Sequence, residues 1–403
     1  GLSSAVGEMA DGIGADVELD LVPRKYPGLA PWEVWLSEAQ ERMVVAVPPR
    51  ALGAFRQRCE KAGVEIADLG AFTGDGRVVV RSGGEVVADL PTEFLHEGRP
   101  QRQMTAHLPV PNRTETGARQ VDDVRATLLA LLTHPNIASK AAAIRRYDHE
   151  ILGATVIRPL TGAAADAPAD GTVVAEPGAG DGIAIGIGVN PWYGLHDPEA
   201  MAHAVVDEAI RNVVATGADP RKIALLDNFS WGDPRRPSTL GQLVAAVRGC
   251  CAAARMHGAP FVSGKDSLNN EYVGADGERH AVAPTLVVHA VAHVPEPDHC
   301  TTPDLAESGN VLMLLGNTEP EFAGSHLDLV LGTTGTSGVT PAPDPDAPER
   351  YGRLHEAIRA GLVESCHDVS EGGLAVAIAE MCIGGRLGAS IDSLPHDDPV
   401  TAL

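Results

Sequence analysis

Residues 1–23 (GLSSAVGEMADGIGADVELDLVP) align without a gap on residues 373–395 (GLAVAIAEMCIGGRLGASIDSLP). Identities fall at Gly1/Gly373, Leu2/Leu374, Ala5/Ala377, Glu8/Glu380, Met9/Met381, Gly12/Gly384, Asp20/Asp392 and Pro23/Pro395. An offset of 372 positions between the copies is far beyond any solenoid period, so the chain reads as a duplicated multidomain unit and not as a repeat array. Chance likeness between two Gly/Ala-rich helices is the alternative. The second copy is preceded by SCHDVSEG, whereas the first begins at its glycine. The duplication therefore implies a chain that enters one domain part-way and leaves another part-way, and the natural protein is expected to be longer at both ends.

Length and charge narrow the classes. A chain of 403 residues exceeds one ordinary core, so roughly two to four domains are expected. With 54 acidic against 31 basic residues and a formal net charge of -23, a nucleic-acid or anionic-membrane surface is disfavoured, because phosphates would be repelled. Small metal-chelated anions remain suitable partners. The cysteines (Cys59, Cys250, Cys251, Cys300, Cys366, Cys382) form no CxxC pair, so neither a zinc site nor a disulfide framework is indicated. No charged-then-apolar leader opens the sequence and no apolar run approaches a membrane span, so a cytoplasmic location is expected.

Punctuation divides the rest. Strands are expected at 42–47 and 78–80, the latter just after a GDG turn at Gly74–Gly76. The polar run 97–118 reads as a linker, followed by an amphipathic helix near 121–132. Residues 182–189 (GIAIGIGV) alternate small and β-branched side chains like a buried strand. Asp197 and Pro198 open a helix over 199–216 that stops at Gly217, and a short strand at 223–226 ends at Asp227. Ser238 caps a second long helix ending at Gly258, and 285–294 is a further strand. Beyond Pro303, a strand at 311–315 and a helix at 348–361 lead to the second copy.

Four places carry chemistry. At Gly264-Lys265-Asp266-Ser267, small residues let the backbone approach an anion that Lys265 can neutralise and Ser267 can hydrogen-bond. A tight turn with a solvated lysine fits the same residues, and GxxxxGK[ST] is absent. Asp227-Asn228 suits a magnesium ion or a nucleotide hydroxyl, or else an Asx turn. Residues 37–42 (SEAQER) can line a pocket with Glu38 and Gln40 on one face, or form a solvated strand edge. His367-Asp368 with Ser370-Glu371-Gly372-Gly373 precedes a helix; its glycines suit a phosphate and Asp368 a cation, an N-capped turn being the alternative. The histidines His196, His257, His289 and His326 sit singly, and no Ser/His/Asp or Cys/His constellation assembles.

LSEAQERM at 36–43, PNIASK at 135–140, YDHEILGATVIRPLTG at 147–162, NPWYGLHDPEAMAHAVVDEAIRNVVATGADP at 190–220, LLDNFSWGDP at 225–234, SGKDSLNNEY at 263–272 and HDVSEGGLAVAIAE at 367–380 together closely resemble the synthetase subunit of the phosphoribosylformylglycinamidine synthase family, within the aminoimidazole ribonucleotide synthetase-like superfamily. That resemblance implies an α+β fold of tandem A-type and B-type domains with mixed α/β layers, truncated at both ends. Residues 1–110 would be most of a first B-type domain, 111–145 a linker and helix, 146–305 a second A-type domain and 306–403 part of a second B-type domain. The catalytic histidines would lie upstream of Gly1, leaving this piece inactive by itself.

The implied reaction is ATP-dependent amidation of formylglycinamide ribonucleotide in purine synthesis, with ATP and Mg2+ required. Ammonia would come from a glutaminase subunit, with a small bridging subunit, or from a domain beyond Leu403. Residue by residue, Glu38, Ala39, Gln40 and Ser267 match substrate contacts, and Asp227 and Gly264 match ATP contacts. Lys265 stands where shorter members have a metal-binding asparagine; an ammonium cannot ligate a cation, so Lys265 joins the nucleotide site and the metal role passes to Asp266 or Asp227. Ala39 stands where serine is common, leaving only a backbone contact. The competing readings are another enzyme of the superfamily, such as a selenophosphate synthetase or a thiamin-phosphate kinase-like protein, and a non-catalytic nucleotide-binding scaffold.

Overall fold

The computed structural model describes residues 1–403 except Tyr26, 112–118, Ile151 and 334–337, so the end of the expected 97–118 linker lies outside the described residues. The chain forms two compact units, Gly1–Gln103 and Met104–Leu403.

In the first unit, strands β1 (Ala15–Glu18), β2 (Gly70–Phe72), β3 (Arg77–Ser82) and β4 (Glu85–Pro91) form a sheet of order β2-β1-β3-β4. β1 pairs with β3 in parallel and with β2 antiparallel. Gly83 and Gly84 both take positive φ, which permits the two-residue turn between β3 and β4. Helices α1 (Leu2–Met9), α2 (Pro31–Leu36), α3 (Leu52–Lys61) and α4 (Thr92–Glu97) complete the unit. Its core is Leu2, Val6 and Ala10 packed with Ala15, Val17, Val78 and Val80. The strand expected at 42–47 does not form: among the described residues no segment pairs with it, and Met43 and Val45 stay exposed.

The second unit opens with α5 (Val124–Thr133) and α6 (Ala141–Ile144). Strand β5 (Thr155–Ile157) is followed by the small pair β6 (Leu160–Thr161) and β7 (Ala167–Pro168), then β8 (Gly171–Val174) and β9 (Gly182–Val189). Next come α7 (Pro191–His196), α8 (Pro198–Ala215), β10 (Ile223–Ser230), α9 (Pro237–His257) and β11 (Phe261–Ser267). Strands β12 (Glu271–Val273), β13 (Arg279–Ala281) and β14 (Thr285–Val294) follow, then α10 (His326–Leu331), α11 (Ala347–Arg359), α12 (Gly373–Gly385) and α13 (Pro399–Ala402). The main sheet runs β11-β10-β14-β9-β8-β5. Every neighbour is antiparallel except the parallel pair β10 and β11.

The glycines of GIAIGIGV explain how the layers meet. Gly182, Ala184, Gly186 and Gly188 face inward; a Cβ on Gly188 would collide with the Val205 carbonyl oxygen, so α8 lies directly against β9. Met201, Val205, Ala209 and Val213 of α8 fill the space toward Leu225, Val288 and Ala290. Ile183, Ile185 and Ile187 point the other way and are 40–48% exposed, so the strand is buried on one face and not on both. Gly249 gives α9 a similarly close approach to the Glu199 carbonyl.

Asp197 caps α8 as expected, its Oδ1 accepting the Glu199 and Ala200 amides at 3.0 and 3.1 Å with Pro198 first in the helix. α9 begins at Pro237, one position before the expected Ser238 cap, because proline's fixed φ suits the first turn and no side chain caps it. Gly258 ends it in the left-handed conformation. Residues 311–315 form no strand; they lack a partner among the described residues, and Val311 and Met313 are largely exposed. Both sequence copies form helices, α1 and α12, but the segment matching β1 is not a strand in the second copy. The six cysteines are unpaired, and among the described residues no helix is long and apolar enough to cross a membrane.

The backbone contact between α8 and β9 makes Gly188 sensitive to size. Gly188→Ala is expected to lower stability by about 1–3 kcal/mol in urea denaturation. Ile187→Thr, on the open face, is expected to stay within about 0.5 kcal/mol of the unaltered chain.

Candidate functional site

In the first unit, α2 ends at Leu36 and residues 37–42 fold into a compact loop. Arg42 donates to the Ser37 and Ala39 carbonyls at 2.8 and 3.1 Å, and the Ala39 amide donates to Ser37 Oγ at 3.2 Å. Glu41 has φ +63, which lets the loop turn back. Glu38, Ala39 and Gln40 are exposed on this loop and are not in a strand. The amide and carbonyl of Ala39 are both engaged by the loop itself.

In the second unit, Asp227 and Asn228 lie inside β10, which runs on to Ser230, instead of on a loop at its end. Gly264, Lys265, Asp266 and Ser267 likewise belong to β11 and not to a turn. Polar residues continue these strands because β11 is the sheet's edge, where one side faces water. The parallel register sets Asp227 beside Gly264, Asn228 beside Lys265, Phe229 beside Asp266 and Ser230 beside Ser267. Any Cβ on Gly264 would strike the Asp227 carboxylate, so the glycine makes room for it. Burial and then the charge of Asp266 push the Asp227 carboxyl up, placing two carboxylates within electrostatic reach.

The loops beyond these strands brace each other. The Trp231 amide donates to the Ser267 carbonyl at 2.9 Å, and the Asn270 amide to the Trp231 carbonyl at 2.9 Å. Glu271 accepts the Asp233 amide at 2.9 Å and pairs with Arg236. The WGDP and NNEY segments therefore form one rigid end to the β10–β11 pair.

A second cluster surrounds the loop before α12. His367 is held between carboxylates, Nδ1 lying 2.6 Å from Asp170 and Nε2 3.1 Å from Glu380. Burial lowers the affinity of the ring for its proton, but the charge of Asp170 and the hydrogen bonds of both carboxylates outweigh that and raise it to about 11. His367 is thus an imidazolium with both nitrogens donating. The Asp368 amide donates to the other Asp170 oxygen at 3.2 Å, and Asp368 receives Arg211 Nη2 at 3.1 Å. Arg211 also donates to Asp207.

Two more carboxyls crowd the cluster. Glu208, which accepts the Val189 amide at 2.9 Å, is pushed well up by burial and then by the charges of Glu371 and Asp368. Glu371 is also raised, chiefly by burial. Asp170, His367 and Asp368 offer atoms close enough to share a metal ion. Both His367 nitrogens already face carboxylates, which favours the oxygens of Asp170 and Asp368, with Glu208 and Glu371 near by, as the donor set. An all-oxygen set with excess negative charge fits a hard divalent cation such as Mg2+.

His367, Asp368 and Glu371 were visible in the sequence as a loop before a helix. Asp170, Asp207, Glu208, Arg211, Tyr351 and Glu380 were not singled out. The available signal was DExxR at 207–211, which puts three charges on a helix whose neighbours are apolar.

Known proteins resemble the chain along nearly all of its length. The model for the C-terminal domain of AIR synthase related proteins matches residues 1–83 and 307–402, and the model for the N-terminal domain matches 169–294. Phosphoribosylformylglycinamidine synthase subunit PurL of Anaeromyxobacter sp. (strain Fw109-5) is 36% identical over 404 residues, covering 98% of this chain and 51% of the relative. The structure of PurLQS from Thermotoga maritima superposes with a TM-score of 0.56 at 25% identity, covering 78% of this chain and 49% of that one. T. maritima PurL, solved in complexes with ATP and with FGAR, gives a TM-score of 0.53 at 24% identity over 75% of this chain and 46% and 45% of those chains. The chain spans about half the length of these relatives.

The doubly paired His367 makes stability depend on pH. Below about pH 6.5 folded and unfolded chains both carry its proton; between 6.5 and 11 only the folded chain does, so its contribution drains as pH rises. The unaltered chain is expected to lose up to about 1.4 kcal/mol per pH unit from this group between pH 7 and 10, a slope that His367→Gln removes, as denaturant melts at several pH values would show.

Proposed function

From a chain that belongs to the AIR synthase related protein family, we propose that it is part of the synthetase that converts formylglycinamide ribonucleotide to formylglycinamidine ribonucleotide. In this reading residues 1–110, 146–305 and 306–403 are a first B-type, a second A-type and a second B-type domain, with 111–145 between them. The observation that carries the nucleotide role is the buried oxygen cluster of Asp170, Asp368, Glu208 and Glu371, whose negative charge Arg211 and His367 offset among the described residues. Similarity to the PurL subunit of Anaeromyxobacter sp., at 36% identity over 98% of this chain, supports the choice of reaction.

ATP supplies the phosphoryl group that turns the amide oxygen into a leaving group, Mg2+ balances phosphate charge, and ammonia then attacks the activated carbon. The residues of this chain bind and orient. Asp170 and Asp368 would hold the cation, with Asp227 and Asp266 a second carboxylate pair at the end of the sheet. Gly264 keeps the backbone of β11 open beside Asp227, and Lys265 offers a positive charge to phosphate. Ser267, with Glu38, Ala39 and Gln40, is assigned to the ribonucleotide; Ala39 acts there by its exposed position alone, its backbone groups being occupied. A glutaminase subunit and a small bridging subunit would deliver ammonia, as the PurLQS assembly of T. maritima suggests. Unpaired cysteines agree with a cytoplasmic enzyme.

The test is ATP-dependent amidine formation by the full-length protein with ammonium chloride. Asp227→Asn is expected to raise the Michaelis constant for Mg-ATP about tenfold with the melting temperature unchanged, since it deletes charge and no core volume. Ser267→Ala is expected to raise that for the ribonucleotide about two- to twelvefold, the worth of one hydrogen bond, with ATP unaffected. ATP binding without turnover by the full-length protein would favour the scaffold reading.

A further inference from the structure

We propose that Arg211 is a positioning residue for the cation cluster, itself set in place by Tyr351 through Asp207. This rests on the reading that Asp170 and Asp368 hold the divalent cation. Arg211 stands on α8 with its guanidinium between Asp207 of the same helix and Asp368 of the loop before α12. Its Nε and Nη2 both donate to one oxygen of Asp368, Oδ2, at 3.3 and 3.1 Å. Among the described residues the other oxygen, Oδ1, has Ser370 Oγ at 3.5 Å as its hydrogen-bond donor, and it lies 3.8 Å from His367 Nδ1.

A different pair in the same unit shows an arginine that holds its carboxylate by both oxygens. Arg119 meets Asp328 end-on, Nε to Oδ1 at 2.6 Å and Nη2 to Oδ2 at 2.8 Å, and so occupies both oxygens. Arg211 holds Asp368 by one oxygen and leaves the other toward Asp170 and the cluster. That geometry orients a carboxylate without consuming it.

The far side of Arg211 is fixed as firmly. Asp207 Oδ1 accepts the Tyr351 hydroxyl at 2.7 Å and lies 3.4 Å from His257 Nε2. The His257 ring stacks on Tyr351 with centroids 5.8 Å apart and planes 9° from parallel. Tyr351 lies on α11, in the segment matching the C-terminal domain model, while Asp207 and Arg211 lie in the N-terminal domain match. The chain Tyr351–Asp207–Arg211–Asp368 therefore lets the packing of α11 against α8 decide where Asp368 sits.

Charge and position give opposite outcomes. Lysine keeps the charge of Arg211 but lacks the planar fork that reaches Asp207 and Asp368 together. Mn2+ titrated into the full chain and followed by electron paramagnetic resonance is the probe. Arg211→Lys is expected to weaken Mn2+ binding about tenfold or more, the effect of losing a group that orients a ligand. Tyr351→Phe is expected to weaken it about two- to fivefold in the same direction. The second variant guards against misfolding: His355 still donates to the Gly217 carbonyl at 3.1 Å and Ile358 stays buried, so α11 keeps its place. If Arg211 acts only as a charge, both variants bind Mn2+ as the unaltered chain does, and the inference falls alone. If the unaltered chain binds no Mn2+, the inference and the reading beneath it fall together.

Discussion

The direct contact between α8 and β9 is the constraint on which the second unit depends. Side chains normally hold a helix away from a sheet, but Gly186 and Gly188 remove that layer, and the α8 backbone meets the strand itself. Helix position is then fixed by backbone sterics, which yield less than flexible side chains. One consequence is chemical: Asp207, Glu208 and Arg211 ride on the same helix, and Glu208 accepts the amide of Val189 at the end of that strand. A shift of α8 would move three charged groups together.

Burying so many carboxylates costs free energy unless cations or hydrogen bonds offset them. Asp207 shows how: burial pushes its carboxyl up, yet the Arg211 charge, the Tyr351 hydroxyl and the nearby His257 ring leave it below the usual range. Glu208 and Glu371 stay raised because burial and neighbouring carboxylates outweigh the Arg211 charge and their hydrogen bonds, which is the imbalance a bound cation would correct. The Asp227–Asp266 pair at the sheet edge repeats the pattern with more solvent around it. Both places concentrate negative charge beside small residues, an arrangement suited to metal-chelated phosphate.

How much of this was legible depended on whether the signal was local. The cap at Asp197, the left-handed stop at Gly258 and the alternation of GIAIGIGV are set by neighbouring residues, and the sequence displayed them. Strand status at 42–47 and 311–315 was misread because apolar alternation supplies no partner chain. Asp227 and Gly264 were recognised but placed on loops, since polar residues in an exposed edge strand look like turn residues. Asp170 stands 197 positions from His367, Arg211 157 from Asp368 and Tyr351 144 from Asp207, so beyond the DExxR spacing at 207–211 no local pattern joins them; the identity of Glu8 and Glu380 in the two copies hinted at Glu380.

The oxygens of Asp170 and Asp368 are proposed to form a divalent-cation site serving a nucleotide. A crystal structure of the full-length protein with Mn2+ and ADP, with Mn2+ located by its anomalous signal, addresses it most directly. An anomalous peak in ligating contact with Asp170 and with Asp368 Oδ1 is expected, His367 remaining between Asp170 and Glu380. A nucleotide-bound structure with no metal at those oxygens, or with His367 turned to ligate it, would contradict the account.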